Sequence, residues 1–168
     1  WKNKEEFNKK EGLVKMEKIR GFEVAKGFEN SNINLPVRKT KYSAGYDIEA
    51  AEDVTIPSFK KGMAPTLIKT GIKAYMQDDE VLMLYNRSSN PKKKGLILAN
   101  SVGVIDKDYY GNQDNDGHIM FAFYNIKEED ITIKKGEAIG QVVFQKYFVS
   151  DDDTAEGERL GGFGSTSK

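Results

Sequence analysis

The 168-residue sequence holds no cysteine and a single histidine, His118. The first absence excludes disulfides, thiolate nucleophiles and cysteine-ligated zinc. The second excludes a multi-histidine metal site within one chain. The longest uninterrupted apolar run, Ile119 to Tyr124, is six residues, against the roughly 20 that a membrane helix needs. The N-terminus is charged and carries no apolar stretch of signal-peptide type. An excess of one charge is missing too: 26 Lys and Arg balance 26 Asp and Glu, which argues against nucleic-acid binding through bulk electrostatics. The expectation is a soluble cytoplasmic domain without membrane or nucleic-acid partners. Any metal it uses should be hard and oxygen-liganded, as magnesium is.

Arginine is also scarce. The basic side chains are 22 lysines and four arginines, although arginine's planar fork is the better partner for phosphate and carboxylate. Two of the four sit beside hydroxyls. Arg87 precedes Ser88 and Ser89, and Arg159 stands ahead of Phe163, Gly164, Ser165 and Thr166. Each segment reads either as a polar turn or as part of a phosphate cradle.

Along the chain, residues 1–15 are mostly charged and read as an extension of unclear role. Residues 16–150 form the domain. Its pattern is of short runs rich in β-branched and aromatic residues, bounded by Gly, Pro, Asn or Asp. Strands are expected at 19–24, 46–50, 53–56, 66–74, 80–85, 95–98, 102–105, 118–125, 130–133 and 138–149. Phe59–Gly62 and Ile133–Gly136 read as hairpin-type turns. No window of helical periodicity follows Met16, so the domain should be all-β, a barrel or sandwich whose closure protects its edges. Residues 151–168, opening with three aspartates and ending glycine-rich, read as a tail that is mobile when alone.

Three further segments carry chemistry. In Gly103-Val104-Ile105-Asp106-Lys107-Asp108-Tyr109-Tyr110-Gly111 a strand delivers Asp106 at its end, as a turn residue or a general base, with Tyr109 close by to pack on a sugar or base. Ala44-Gly45-Tyr46-Asp47 sets another carboxylate at a strand start. Gln141 is one amide in an otherwise apolar strand, so it either bridges strands or faces a ligand.

Taken together and in order, these segments resemble the homotrimeric dUTPases. AGYDIEA looks like the first motif, Arg87-Ser88-Ser89 the second, GVIDKDYYG the third, IGQVVF the fourth, and Arg159 with GGFGST the fifth. The resemblance implies a β-clip, jelly-roll-like subunit and a homotrimer whose active sites are shared between chains. It implies magnesium-dependent hydrolysis of dUTP to dUMP and pyrophosphate, which keeps uracil out of DNA and supplies dUMP for dTTP synthesis. Asp106 would activate the attacking water. Arg87, Ser88, Ser89 and Gln141 would hold the phosphates. Asn100 with the backbone around Gly103 and Ile105 would read uracil, and Tyr109 would lie under the deoxyribose. Asp47 would order water around a magnesium ion that the phosphates themselves chelate. From a neighbouring subunit's tail, Arg159, Ser165 and Thr166 would reach the outer phosphates and Phe163 would cover the uracil.

The sequence departs from the family pattern at Asn86, where Gly or Pro is usual, at Ala138, where a basic residue is common, and in the short spacing after Arg159. Asn112–Gly117 looks like an insertion: a turn, a substrate-rim loop or a partner contact. Lys92–Lys94 is a solvated turn or an electrostatic guide for an anion, and His118 is structural or exposed. Two other readings stay open, a dCTP deaminase of the same fold and a nucleotide-sensing regulatory protein.

Overall fold

The computed structural model describes residues 17–162. The N-terminal extension, together with Phe163, Ser165 and Thr166, lies outside them. Eleven strands make up the described chain: β1 Gly21–Val24, β2 Tyr46–Glu49, β3 Val54–Ile56, β4 Thr66–Lys69, β5 Ile72–Tyr75, β6 Glu80–Asn86, β7 Leu96–Leu98, β8 Gly103–Ile105, β9 Met120–Asn125, β10 Ile131–Ile133 and β11 Ala138–Lys146. Helix among the described residues amounts to three single turns. The all-β expectation therefore holds, with nearly every strand within a few residues of its expected place.

All pairings are antiparallel. They form one sheet in the order β2-β11-β6-β8, a second in the order β4-β9-β7, and the pairs β1-β5 and β3-β10. Alternation along the strands turns one face inward, so Ile48, Ile68, Leu82, Phe121, Phe123, Ile133, Ile139 and Val142 are all essentially inaccessible and share one core. Phe121 and Phe123 lie nearly parallel in its centre, centroids 6.1 Å apart.

Two local expectations change. The run expected at 66–74 breaks into β4 and β5, because Gly71 takes a left-handed φ of +70° and both its N–H and that of Thr70 donate to His118 Nε2, at 3.0 and 3.3 Å. The bend moves the chain from one sheet to another. The turns at Phe59–Gly62 and Ile133–Gly136 are tight, yet neither joins a hairpin: β3 pairs with β10, β4 with β9 and β11 with β2 and β6. Each turn hands the chain between sheets, as closure of a jelly-roll-like body requires.

Candidate active site at the two ends of β6

At one end, β8 delivers Asp106 in extended conformation just before the helical turn Lys107–Tyr109. Arg159 forks across this end: its Nη2 lies 2.5 Å from Asp106 Oδ2 and its Nε 2.7 Å from Asp108 Oδ1. The guanidinium sits 5.7 Å from the Tyr109 ring centroid, and its side chain is only 8% exposed. Such a bidentate, ring-backed arrangement is what arginine's planar fork favours. Asn100, Gly103, Ile105, Asp106, Tyr109 and Arg159 all line one pocket of about 220 Å³. Tyr109 is buried; its hydroxyl donates to the His118 carbonyl at 2.9 Å and accepts from Asn115 Nδ2 at 2.8 Å. Burial pushes its phenol pKa up, keeping it neutral.

The tail that supplies Arg159 lies against its own chain's Asp106, whereas the family resemblance has it reach a neighbour. Asp106 and Asp108 present two carboxylates at the spacing of one guanidinium, which gives Arg159 a partner without leaving its own chain.

At the other end, β6 runs out at Asn86 and the chain turns through Arg87, Ser88 and Ser89 into the turn Asn90–Lys94. A bulge between Ala138 and Gly140 interrupts the pairing of β11 with β2. It leaves both Ile139 and Gly140 facing the core and turns Gln141 out, opposite Asp47 and Tyr85. Gln141 Nε2 donates to the Asn86 carbonyl at 3.2 Å, so it does bridge strands. Arg87 Nε stands 3.9 Å from Asp47 Oδ1. Buried Asn90 ties the turn down, its Nδ2 donating to Asn86 Oδ1 and the Ile139 carbonyl, both at 2.7 Å. Arg87, Ser88, Ser89, Gln141 and Asp47 thus gather at one place.

The two groups do not meet within a chain. The antiparallel register sets Leu82 opposite Ile105 and Leu84 opposite Gly103, so Asp106 falls beside the start of β6. Arg87 lies six residues further along, about 20 Å away at the rise of a strand. No side chain spans that gap.

A dUTPase family model matches residues 31–167. The chain belongs to the dUTPase family. Among its relatives, the deoxyuridine 5'-triphosphate nucleotidohydrolase of Lactococcus lactis is 57% identical over 151 residues, covering 89% of this chain and 98% of that protein. The dUTPase of Streptococcus mutans matches in structure with a TM-score of 0.73 and 46% identity, covering 78% of this chain and 98% of that one. A mutant dUTPase from phage phi11 of S. aureus, whose structure reveals the coordination of a structural Mg(II) ion, matches with a TM-score of 0.64. At 20% identity, and covering 82% of this chain and 97% of that one, it attests the fold alone. The β-clip, jelly-roll-like architecture is therefore that of the dUTPases.

Against this dUTPase frame, four residues escaped the sequence reading. Asn86 and Asn90 carry the bonds beneath the Arg87 turn; the only hint was Asn86's departure from the usual Gly or Pro. Asp108 shares Arg159 with Asp106, and Asn115, in the loop Asn112–Gly117, holds Tyr109. His118 is settled as structural: it is buried, its Nε2 accepts two backbone N–H groups, and burial drives its pKa down to about 4. Lys92 and Lys93 are exposed, while Lys94 pairs with Glu137. Asp151–Asp153 is exposed as well, and no helix among the described residues is long and apolar enough to cross a membrane.

Proposed function

We propose that this chain hydrolyses dUTP to dUMP and pyrophosphate in the cytoplasm, as a homotrimer in which the Asp106 end of one subunit faces the Arg87 end of another. The result would keep uracil out of DNA and feed dTTP synthesis. What carries the reading is the register of β6: one chain sets Asp106 and Arg87 about 20 Å apart, so a site that uses both would draw on a second copy. Asp106, half exposed at a strand end, takes the proton of the water that attacks the α-phosphorus. Its effectiveness comes from position. Arg87, Ser88, Ser89 and Gln141 brace the phosphates where charge builds up. Asn100 and the backbone at Gly103 and Ile105 read the uracil edge, Tyr109 packs under the deoxyribose, and the tail with Arg159, Phe163, Ser165 and Thr166 closes over the whole.

Magnesium fits this donor set. The described residues contain no cluster of three or more carboxylates or histidines; Asp47, partly buried beside Arg87, would accept hydrogen bonds from water on an ion held mainly by the substrate phosphates. When bound, magnesium supplies charge neutralisation on those phosphates.

Incubation with dUTP and magnesium, with dUMP and pyrophosphate followed directly, tests the reading. The expected result is release of both products in equal amounts. Ammonia release from dCTP, with dUTP untouched, would establish the deaminase reading instead.

A further inference from the structure

We infer that the inserted loop Asn112–Gly117 is a latch that captures the tail at Asp114 and fixes the sugar-facing tyrosine through Asn115, which makes Asn115 a positioning residue for deoxyribose selectivity. The inference rests on the dUTPase reading above and adds two residues to its machinery.

The loop is wired in one way only. Asn112 Oδ1 accepts the N–H groups of Asp114 and Asn115 at 3.0 and 3.1 Å, an Asx turn. Its Nδ2 donates to the Tyr109 carbonyl and to Asn115 Oδ1, both at 2.8 Å. Asn115 Oδ1 also accepts the Gly117 N–H at 3.1 Å. With its oxygen engaged by two donors, Asn115 must present its NH₂ to the Tyr109 hydroxyl, 2.8 Å away. That hydroxyl has one proton and gives it to the His118 carbonyl, which can only accept. The direction of each of these bonds is therefore fixed, and the ring of Tyr109 is held from its far end.

The same loop grips the tail. Gly162 donates its N–H to Asp114 Oδ2 at 2.8 Å, a charge-assisted bond, and lies against the Asn115 carboxamide. Three residues earlier, Arg159 lies over the ring of Tyr109 and pairs with Asp106 and Asp108. Tail closure and tyrosine position thus pass through neighbouring residues of one loop. In an enzyme so built, Asn115 shares with the His118 carbonyl the hold on Tyr109 that selects against a 2′-hydroxyl.

Two variants separate the roles. Asn115→Asp keeps the acceptor of the turn but removes the donor to Tyr109. It should cut the preference for dUTP over UTP about tenfold, the loss of roughly one partly buried hydrogen bond. Asp114→Ala should raise KM for dUTP by a similar factor with kcat less affected, and should speed tryptic cleavage after Arg159. Asp114→Asn, which retains an acceptor oxygen, should recover most of both. Circular dichroism and thermal melting confirm that each variant is folded. If the wild-type enzyme turns over dUTP and the folded variants keep its selectivity, KM and cleavage rate, the latch is wrong. If the wild-type enzyme does not turn over dUTP, the function is wrong, and the cleavage rates still decide the latch.

Discussion

The two ends of β6 solve opposite problems. At the Arg87 end the backbone is fastened by neutral amides, Asn86, Asn90 and Gln141, while Arg87 itself makes two long contacts, 3.4 Å to the Ala138 carbonyl and 3.9 Å to Asp47. Amides hold a turn in place without neutralising it, so the arginine stays available to an anion. At the Asp106 end the fastening is ionic: Arg159 bridges Asp106 and Asp108 at 2.5 and 2.7 Å. A carboxylate paired in this way is held by the same tail that, in the proposed function, closes on substrate. Rigid neutral scaffolding suits phosphate binding, whereas an exchangeable ion pair suits a base that must be uncovered and then enclosed.

The sharpest way to break this division is to remove the base. Asp106→Asn should lower kcat about 10²–10⁴-fold, the usual contribution of general-base catalysis, while dUTP binding by calorimetry persists. Near-normal turnover would locate the base elsewhere. Arg87→Ala should cost about 10–100-fold in kcat/KM, the worth of charge-assisted hydrogen bonds. Mixing the two crippled chains tests whether the ends meet across copies. Refolded together, they should regain up to about a quarter of wild-type activity if each site draws on two subunits of a closed ring. No recovery would mean that each chain serves only itself. Ending the chain after Gly157 removes Arg159 and the rest of the closing segment. It should also cost about 10–100-fold in kcat/KM while sedimentation still reports a trimer.

How much of this was legible beforehand follows the same division. Strand content and the motif residues could be read because they are local: alternation marks β6 and β11, and Asp106 stands at a strand end whatever it pairs with. Register could not be read. That Leu82 sits opposite Ile105, and so that Asp106 and Arg87 point to opposite ends, depends on pairings between residues more than 20 positions apart. The same blindness made two sheet-changing turns look like hairpins. Amides such as buried Asn90 and half-buried Asn115 were silent for another reason: an asparagine in a loop is ordinary until its partners are known.

Support for the Asp106 end can be tested through His118, whose carbonyl receives the Tyr109 hydroxyl. Its folded-state pKa is depressed from 6.5 to about 4 by burial, and its Nε2 must stay unprotonated to accept from Thr70 and Gly71. Neutral histidine therefore stabilises the fold above pH 6.5, and that contribution is lost as pH falls towards 4. It amounts to about 3 kcal/mol over the window. His118→Gln cannot titrate, so its urea-unfolding stability should decline less between pH 6.5 and 4 than the wild type's. Parallel declines would assign the acid sensitivity to carboxylates.

Support for the Arg87 end can be tested through Gly140, where a Cβ would overlap the ring of Phe121 beneath the bulge. Gly140→Ala should cost about 1–3 kcal/mol by overpacking and, by displacing neighbouring Gln141, should raise KM without changing the pH dependence of kcat. The effect should be smaller than that of His118 in acid, because the ring can retreat slightly within the core. Shortening the ring relieves the overlap directly: combining Gly140→Ala with Phe121→Leu should cost less than the two changes added separately. Strict additivity would show that the bulge is set by β2 and β11 pairing alone. Gln141 would then owe its orientation to backbone register and not to the aromatic core below it.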